Sequence, residues 1–164
     1  MRRAAKPSGV RPGLAPREAR RVRVGIIRAE YNAEITRSLE RKCVETLLAH
    51  GVSAANIKRV EVPGCFEIPL AAERLAALKR FDALVALGAV IRGETHHFDL
   101  VANECARGVM DVMLRHRVPV IFEVLATYRK RDALRRAAND RFNKGIEAAE
   151  AALAAIAALR ATGK

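Results

Sequence analysis

The sequence predicts an α/β fold, a central parallel sheet with helices on both faces, and three observations carry that prediction. Short apolar runs alternate with longer segments whose apolar residues recur at helical spacing. The connections between them are short. The run Asp82 to Leu87 is continuous rather than alternating, which is the pattern of a strand buried on both sides. A length of 164 residues, of which 51% are hydrophobic, fits one domain with a proper core.

Taken in order, Val22 to Ile27 is the first strand. Ala33 to His50 is an amphipathic helix, and Gly51 behind it is a natural carboxyl cap. Ile57 to Val62 is the second strand, stopped by Pro63 and Gly64, and a helix follows from about Pro69 to Lys79. Asp82 to Leu87 is a short apolar strand bounded by a charge and by Gly88. Behind it, Phe98 to Arg117 keeps Phe98, Val101, Ala102, Cys105, Val109, Val112 and Met113 at helical spacing. Pro119 to Leu125 is the fourth strand. Two helices, about Arg131 to Asn139 and Phe142 to Leu159, close the pattern, the last rich in alanine and so high in helix propensity.

The formal net charge of +12 points to an anionic partner: nucleic acid, an anionic membrane or a phosphorylated ligand. Much of it is concentrated. Arg2, Arg3, Lys6, Arg11, Arg17, Arg20, Arg21 and Arg23 crowd the amino end, and Arg129, Lys130, Arg131, Arg135 and Arg136 crowd a later helix. Aromatic residues are few and not interleaved with the basic ones, so the stacking platforms of a single-strand binder are missing. With Pro7, Gly9, Pro12, Gly13 and Pro16 among its arginines, the segment 1–21 reads as a basic mobile arm, with an organelle transit peptide as the alternative. No apolar run follows it as in a secretory signal, and no stretch is long enough to span a bilayer. Cys43, Cys65 and Cys105 give an odd count without CxxC spacing, which suggests neither a disulfide framework nor a metal site and fits a reducing, cytoplasmic setting.

In a parallel sheet the loops after the strands open at one edge, where open α/β sheets bind ligands. The first loop offers Tyr31 and Asn32, the second Pro63-Gly-Cys-Phe-Glu-Ile-Pro69, and the fourth begins near Ala126. The third, Gly88 to His97, turns through Gly93 and sets Arg92, Glu94, Thr95, His96 and His97 in a row before a helix. No GxGxxG or P-loop is present, so a nucleotide-phosphate cradle is not indicated. Nor is there a serine elbow, and nothing gives Cys65 a dedicated activating base.

The runs Val62-Pro-Gly-Cys-Phe-Glu-Ile-Pro69, Gly88-Ala-Val-Ile-Arg-Gly-Glu-Thr-His-His-Phe-Asp99 and Asn143-Lys-Gly145 resemble lumazine synthases, and the likeness is collinear from about Val22 to Leu159. The resemblance implies a domain at residues 22–160 with a short tail at 161–164, and a flavodoxin-like three-layer α/β/α sandwich assembled as homopentamers. It implies a transferase of riboflavin biosynthesis: 5-amino-6-ribitylaminouracil condenses with 3,4-dihydroxy-2-butanone 4-phosphate to give 6,7-dimethyl-8-ribityllumazine and phosphate. No metal and no organic cofactor is implied. The nucleophile is the substrate's own amine, so the protein has to orient two small molecules and move protons.

By the resemblance, His97 is the proton-transferring residue, while His96 beside it is a solvated neighbour. Tyr31 takes the place of an aromatic that stacks on the pyrimidine, Asn32 follows it, and Glu67 contacts the ribityl chain. Backbone groups of Cys65, Phe66, Ala89, Val90 and Ile91 line the pocket. Glu94 and Thr95 form the phosphate-side loop, and Arg136 is the phosphate-binding arginine. Phe122 and Arg136 come from the neighbouring subunit. Arg92 is expected in a structural ion pair, and Cys65 as packing rather than as a reactive thiol. Asp140 and Phe142 depart from the family's usual turn between the last two helices, a turn connected with assembly beyond the pentamer. Two other classes remain as alternatives: a flavin or lumazine carrier without turnover, and a basic nucleic-acid-binding oligomer.

Overall fold

The computed structural model describes residues 12–163. Four parallel strands, β1 (Val24–Ala29), β2 (Ile57–Val62), β3 (Ala83–Ile91) and β4 (Val120–Thr127), form a sheet in the order β2-β1-β3-β4. One turn of helix, α1 (Pro16–Ala19), precedes them. The others are α2 (Ala33–Ala49), α3 (Ile68–Ala77), α4 (His97–His116), α5 (Lys130–Arg136) and α6 (Lys144–Ala161).

Two apolar layers sandwich the sheet, as the alternation of strands and helices requires. On one side α2 and α6 bring Leu39, Leu47, Leu153 and Ile156 against Val24, Ile26, Val85 and Leu87. On the other, α3 and α4 bring Ile68, Ala72, Cys105, Val109 and Val112 against Ile27, Leu84 and Ala86. Gly145 permits the closest approach of α6 to α2, because a Cβ there would run into the carbonyl of Leu39. Asn143, fully buried, caps α6 by accepting from the Gly145 amide at 2.8 Å, and donates to the Ala138 carbonyl and the Ser38 hydroxyl. The Asn-Lys-Gly run thus has a structural account of its own. At the end of α2, Gly51 adopts φ +93° and the Val52 amide returns to the Leu47 carbonyl, the cap expected there.

A charged side chain is buried under α2 and reaches two carboxylates. Arg28 on β1 is 2% exposed, and its Nε lies 3.2 Å from Glu40 of α2 while its Nη2 lies 2.7 Å from Glu61 of β2. Nη1 also reaches the Thr36 hydroxyl at 3.5 Å and the Ala29 carbonyl at 3.4 Å. The hydrogen bond from Arg28 holds the Glu61 carboxyl below the usual carboxylate range.

The structure departs from the sequence pattern in three places. β3 does not stop at Leu87 but runs through Gly88 to Ile91, pairing Ala89, Val90 and Ile91 with Leu125, Ala126 and Thr127. Gly88 is a close-packing glycine inside the strand, since a Cβ there would stand 2.5 Å from the Cys65 sulfur. Secondly, the helix expected at Arg131 to Asn139 is shorter, and the one expected from Phe142 to Leu159 keeps its length but begins two residues later, at Lys144. α5 ends at Arg136, and Asp140 turns the chain by accepting the Phe142 amide at 2.8 Å. Thirdly, the segment read as an arm up to residue 21 is folded in its later part. Ala19 is 1% exposed, the Ala15 amide donates to Glu18, and Asn56 donates to the Arg20 carbonyl. The expected mobility of residues 1–11 lies outside the described residues, as does position 164 of the tail. Among the described residues no helix is long and apolar enough to cross a membrane.

Candidate active site at the carboxyl edge of the sheet

The three loops after β1, β2 and β3 meet at one edge, and a small number of polar contacts tie them together. Asn32 takes the left-handed conformation, φ 60°, that asparagine tolerates better than most residues. Its side-chain amide donates to the Ala89 carbonyl at 2.9 Å, which fastens the first loop to the end of β3. The Tyr31 amide donates to the Pro63 carbonyl at 3.1 Å, joining the first loop to the second. Asn32 is therefore a tie between elements.

Around Gly64 the second loop is shaped by Glu67, whose Oε2 accepts the Gly64 amide at 2.8 Å. A Cβ on Gly64 would lie 3.1 Å from that oxygen and 3.4 Å from the Tyr31 ring, so glycine lets ring and carboxylate close in over the same spot. One carboxylate oxygen is fixed by this bond. The Tyr31 ring is 73% exposed and Phe66 58%, two large faces open at the edge. Cys65 is buried against Gly88, and burial pushes its thiol up to about 11. The reactive-thiol reading fails on that account, because the nucleophilic thiolate is scarce at neutral pH.

His97 is the first residue of α4, one position earlier than periodicity placed the helix, and Glu94, Thr95, His96 and His97 are all exposed. His96 Nδ1 lies 3.2 Å from Asp99, so it is engaged within its own turn. Arg92 differs from expectation. Its guanidinium carbon stands 5.4 Å from the centre of the Tyr128 ring, a cation–π contact, and no ion pair of Arg92 is present among the described residues. Tyr128 was not singled out in the sequence. A Tyr directly after a strand carries no spacing signal, and its partners lie 36 and 30 positions earlier in the chain.

Phe122 and Arg136 are not gathered with this group. Phe122 pairs with Ala86 in mid-strand, five residues short of the end of β4 at Thr127, and is 39% exposed on the edge strand. Arg136 closes α5 and donates to the Asp132 carbonyl at 2.9 Å. Two surface concavities, of about 620 Å³ and about 320 Å³, lie elsewhere, lined by Arg17, Arg20, Arg21 and Arg160 and by Arg23, Lys58 and Phe81. The second of these is at the amino edge of the sheet. Neither holds the acid, base and aromatic groups that the carboxyl edge brings together, so volume alone does not mark the site here.

Next to Arg136 is a carboxyl that the sequence did not mark. Glu123 lies between Ile121 and Leu125, which pack in the α2/α6 layer, so strand alternation turns it to that layer. Burial pushes its carboxyl up to about 7; Lys144 and Arg136 pull it down, and Glu147 pushes it further up. The folded protein holds this proton more tightly than the unfolded chain, so stability is lost as pH rises from the ordinary glutamate range through about 7. Glu123→Gln should remove that loss. The unfolding free energy of the variant minus that of the parent should grow by on the order of 3 kcal/mol across the window and level off above it. A difference that stays constant with pH would show that Glu123 ionises freely.

Comparison with known proteins places the chain's sequence among one family. A family model described as 6,7-dimethyl-8-ribityllumazine synthase matches residues 21–160. A protein of that name from Cytophaga hutchinsonii is 47% identical over 150 residues, covering 92% of this chain and 91% of the relative. Another from Paracidovorax citrulli is 43% identical over 146 residues, covering 88% of this chain and 92% of the relative. Since the match takes in all four strands and every loop of the carboxyl edge, the chain belongs to the 6,7-dimethyl-8-ribityllumazine synthase family.

Proposed function

We propose that the chain condenses 5-amino-6-ribitylaminouracil with 3,4-dihydroxy-2-butanone 4-phosphate, forming 6,7-dimethyl-8-ribityllumazine and releasing phosphate. The observation that carries this reading is the convergence of three loops at the carboxyl edge, tied by Asn32 to Ala89 and by Glu67 to Gly64. The Tyr31 face receives the pyrimidine. Glu67, fixed through one oxygen, accepts ribityl hydroxyls with the other. His97, with a donor and an acceptor nitrogen when neutral, moves protons during Schiff-base formation, phosphate elimination and ring closure. Thr95 and the loop amides around Glu94 receive the phosphate together with Arg136, whose planar fork suits it.

The site is completed by a second copy. Phe122 lies in mid-strand on the edge strand β4, and the exposed Leu70, Leu100, Met110 and Leu114 of α3 and α4 offer apolar surface for assembly. A cytoplasmic homopentamer is the arrangement proposed. A steady-state assay with both substrates, following lumazine absorbance and phosphate together, tests the reading. Binding of lumazine without phosphate release would favour a carrier.

The shared site has its own test. Arg136→Ala should weaken use of the butanone phosphate by about 1.5–3 kcal/mol, the worth of one charged hydrogen-bonded contact. In equal mixtures with a His97 variant, a head-to-tail ring should contain about one fully native interface in four. Activity after co-refolding should then rise well above that of either variant. Averaged activity in rings confirmed by mass spectrometry would leave each site within one chain.

A further inference from the structure

The loop that carries the candidate catalytic groups has both its ends on one side chain. At its start, the Arg92 guanidinium lies over the Tyr128 ring at 5.4 Å from the centroid, and the Arg92 amide donates to the Thr127 carbonyl at 2.9 Å. At its far end, the Phe98 ring, next to His97, meets the same Tyr128 ring at a centroid distance of 6.1 Å and a 35° tilt. Between these ends residues 93–97 are exposed, and a Cβ on Gly93 would meet nothing within 4 Å. Among the described residues the His96 side chain pairs with Asp99, in the first turn of α4. Thr127, directly before Tyr128, is buried, and its hydroxyl donates to the Arg129 carbonyl, which fixes the backbone that presents the ring.

We infer that Tyr128 is a positioning residue for the 92–98 loop, clamping both of its ends so that His97 is held at one place on the carboxyl edge. The inference rests on the reading of His97 as the proton-transferring group. Its physical content is that a loop with little packing of its own keeps catalytic geometry only through its anchors, and small misplacements of a reacting group are costly. The hydroxyl of Tyr128 has no part in the clamp; the ring face does. Tyr31 and Glu67 sit on other loops, so binding of the pyrimidine is independent of it.

The test compares Tyr128→Ala, Tyr128→Leu and Tyr128→Phe by hydrogen exchange and by steady-state kinetics with both substrates. Tyr128→Ala should speed amide exchange at residues 93–97, leave β1 and β3 protected, and lower turnover by about 10- to 100-fold with KM for the ribitylaminouracil unchanged. Tyr128→Leu, which keeps bulk without an aromatic face, should behave in the same way and serves if the alanine variant does not fold. Tyr128→Phe should match the parent in every readout. Parent-like exchange and turnover in the alanine or leucine variant would overturn the clamp. So would a loosened loop with parent turnover, or a phenylalanine variant as impaired as the alanine one. His97→Ala in the same assay separates the two layers: unchanged turnover there removes the catalytic reading, while the exchange data still decide whether Tyr128 anchors the loop.

Discussion

Turnover of His97→Ala should fall by roughly 10²- to 10⁴-fold, the usual contribution of a positioned general acid–base group, with the protein still folded. The fold should not notice the change, because His97 is exposed at the first turn of α4 and lends no side chain to either apolar layer. The loss should also be incomplete. The amine nucleophile belongs to the substrate, so the ring of Tyr31, the carboxylate of Glu67 and the phosphate-side donors still bring the two reactants together. Residual turnover should therefore stay above the rate of the two substrates free in solution. Thermal unfolding and steady-state kinetics on the same preparation check both halves. A variant within twofold of the parent, in about the range of assay scatter, would falsify the assignment of His97.

The largest expected effect on stability is at Arg28. Arg28→Met preserves length and apolar bulk but leaves Glu40, 13% exposed, without the cation it pairs with. Breaking a buried pair by removing one partner costs about 3–5 kcal/mol, most of it from the charge left behind. Glu61 is 54% exposed and can turn to water, so the cost lies with Glu40. Replacing both members should reverse the loss. Arg28→Met combined with Glu40→Leu removes the stranded charge, and apolar replacements of buried pairs are often neutral or stabilising. Urea denaturation of both variants is the measurement. A single-variant loss within about 1 kcal/mol, the size of a surface pair, would mean that Glu40 reaches solvent.

The layers of the fold were legible because strands and helices alternate with short connections, and α2, β1 and β2 fall within two residues of their expected limits. What misled was glycine. Gly88 reads locally as a stop, yet it is in the strand because Cys65, from another loop, packs on it. Such a contact has no local signature. The same holds for charge: Arg28 looks like one more arginine of a basic chain, and only the fold shows that it lies beneath α2 with two carboxylates.

The candidate site was legible as a set of loops and less so as a set of roles. Tyr31, Glu67 and Ala89 come together as the parallel topology requires. Asn32, however, is a fastening between loops, and Arg92 packs on an aromatic ring where an acid was expected. Both concern side chains whose partner is 57 or 36 positions away, beyond any spacing rule. Glu123 escaped notice for a related reason. A single acid in an apolar strand is ambiguous until its layer is known.

The packing of α6 on α2 has a consequence for how the chain is made. Ser38 donates to the Ala137 carbonyl and accepts from Asn143, contacts that span 99 and 105 positions. Until α6 has been synthesised, Leu39, Cys43 and Leu47 of α2 have no second helix over them, and that face of the sheet is covered by α2 alone. A nascent chain therefore carries an open apolar stripe through most of its synthesis, and closure comes late, over a long loop. The tight helix contact that Gly145 allows is then also a folding checkpoint. A bulkier residue at that position would prolong the interval in which the emerging chain can stick to its neighbours.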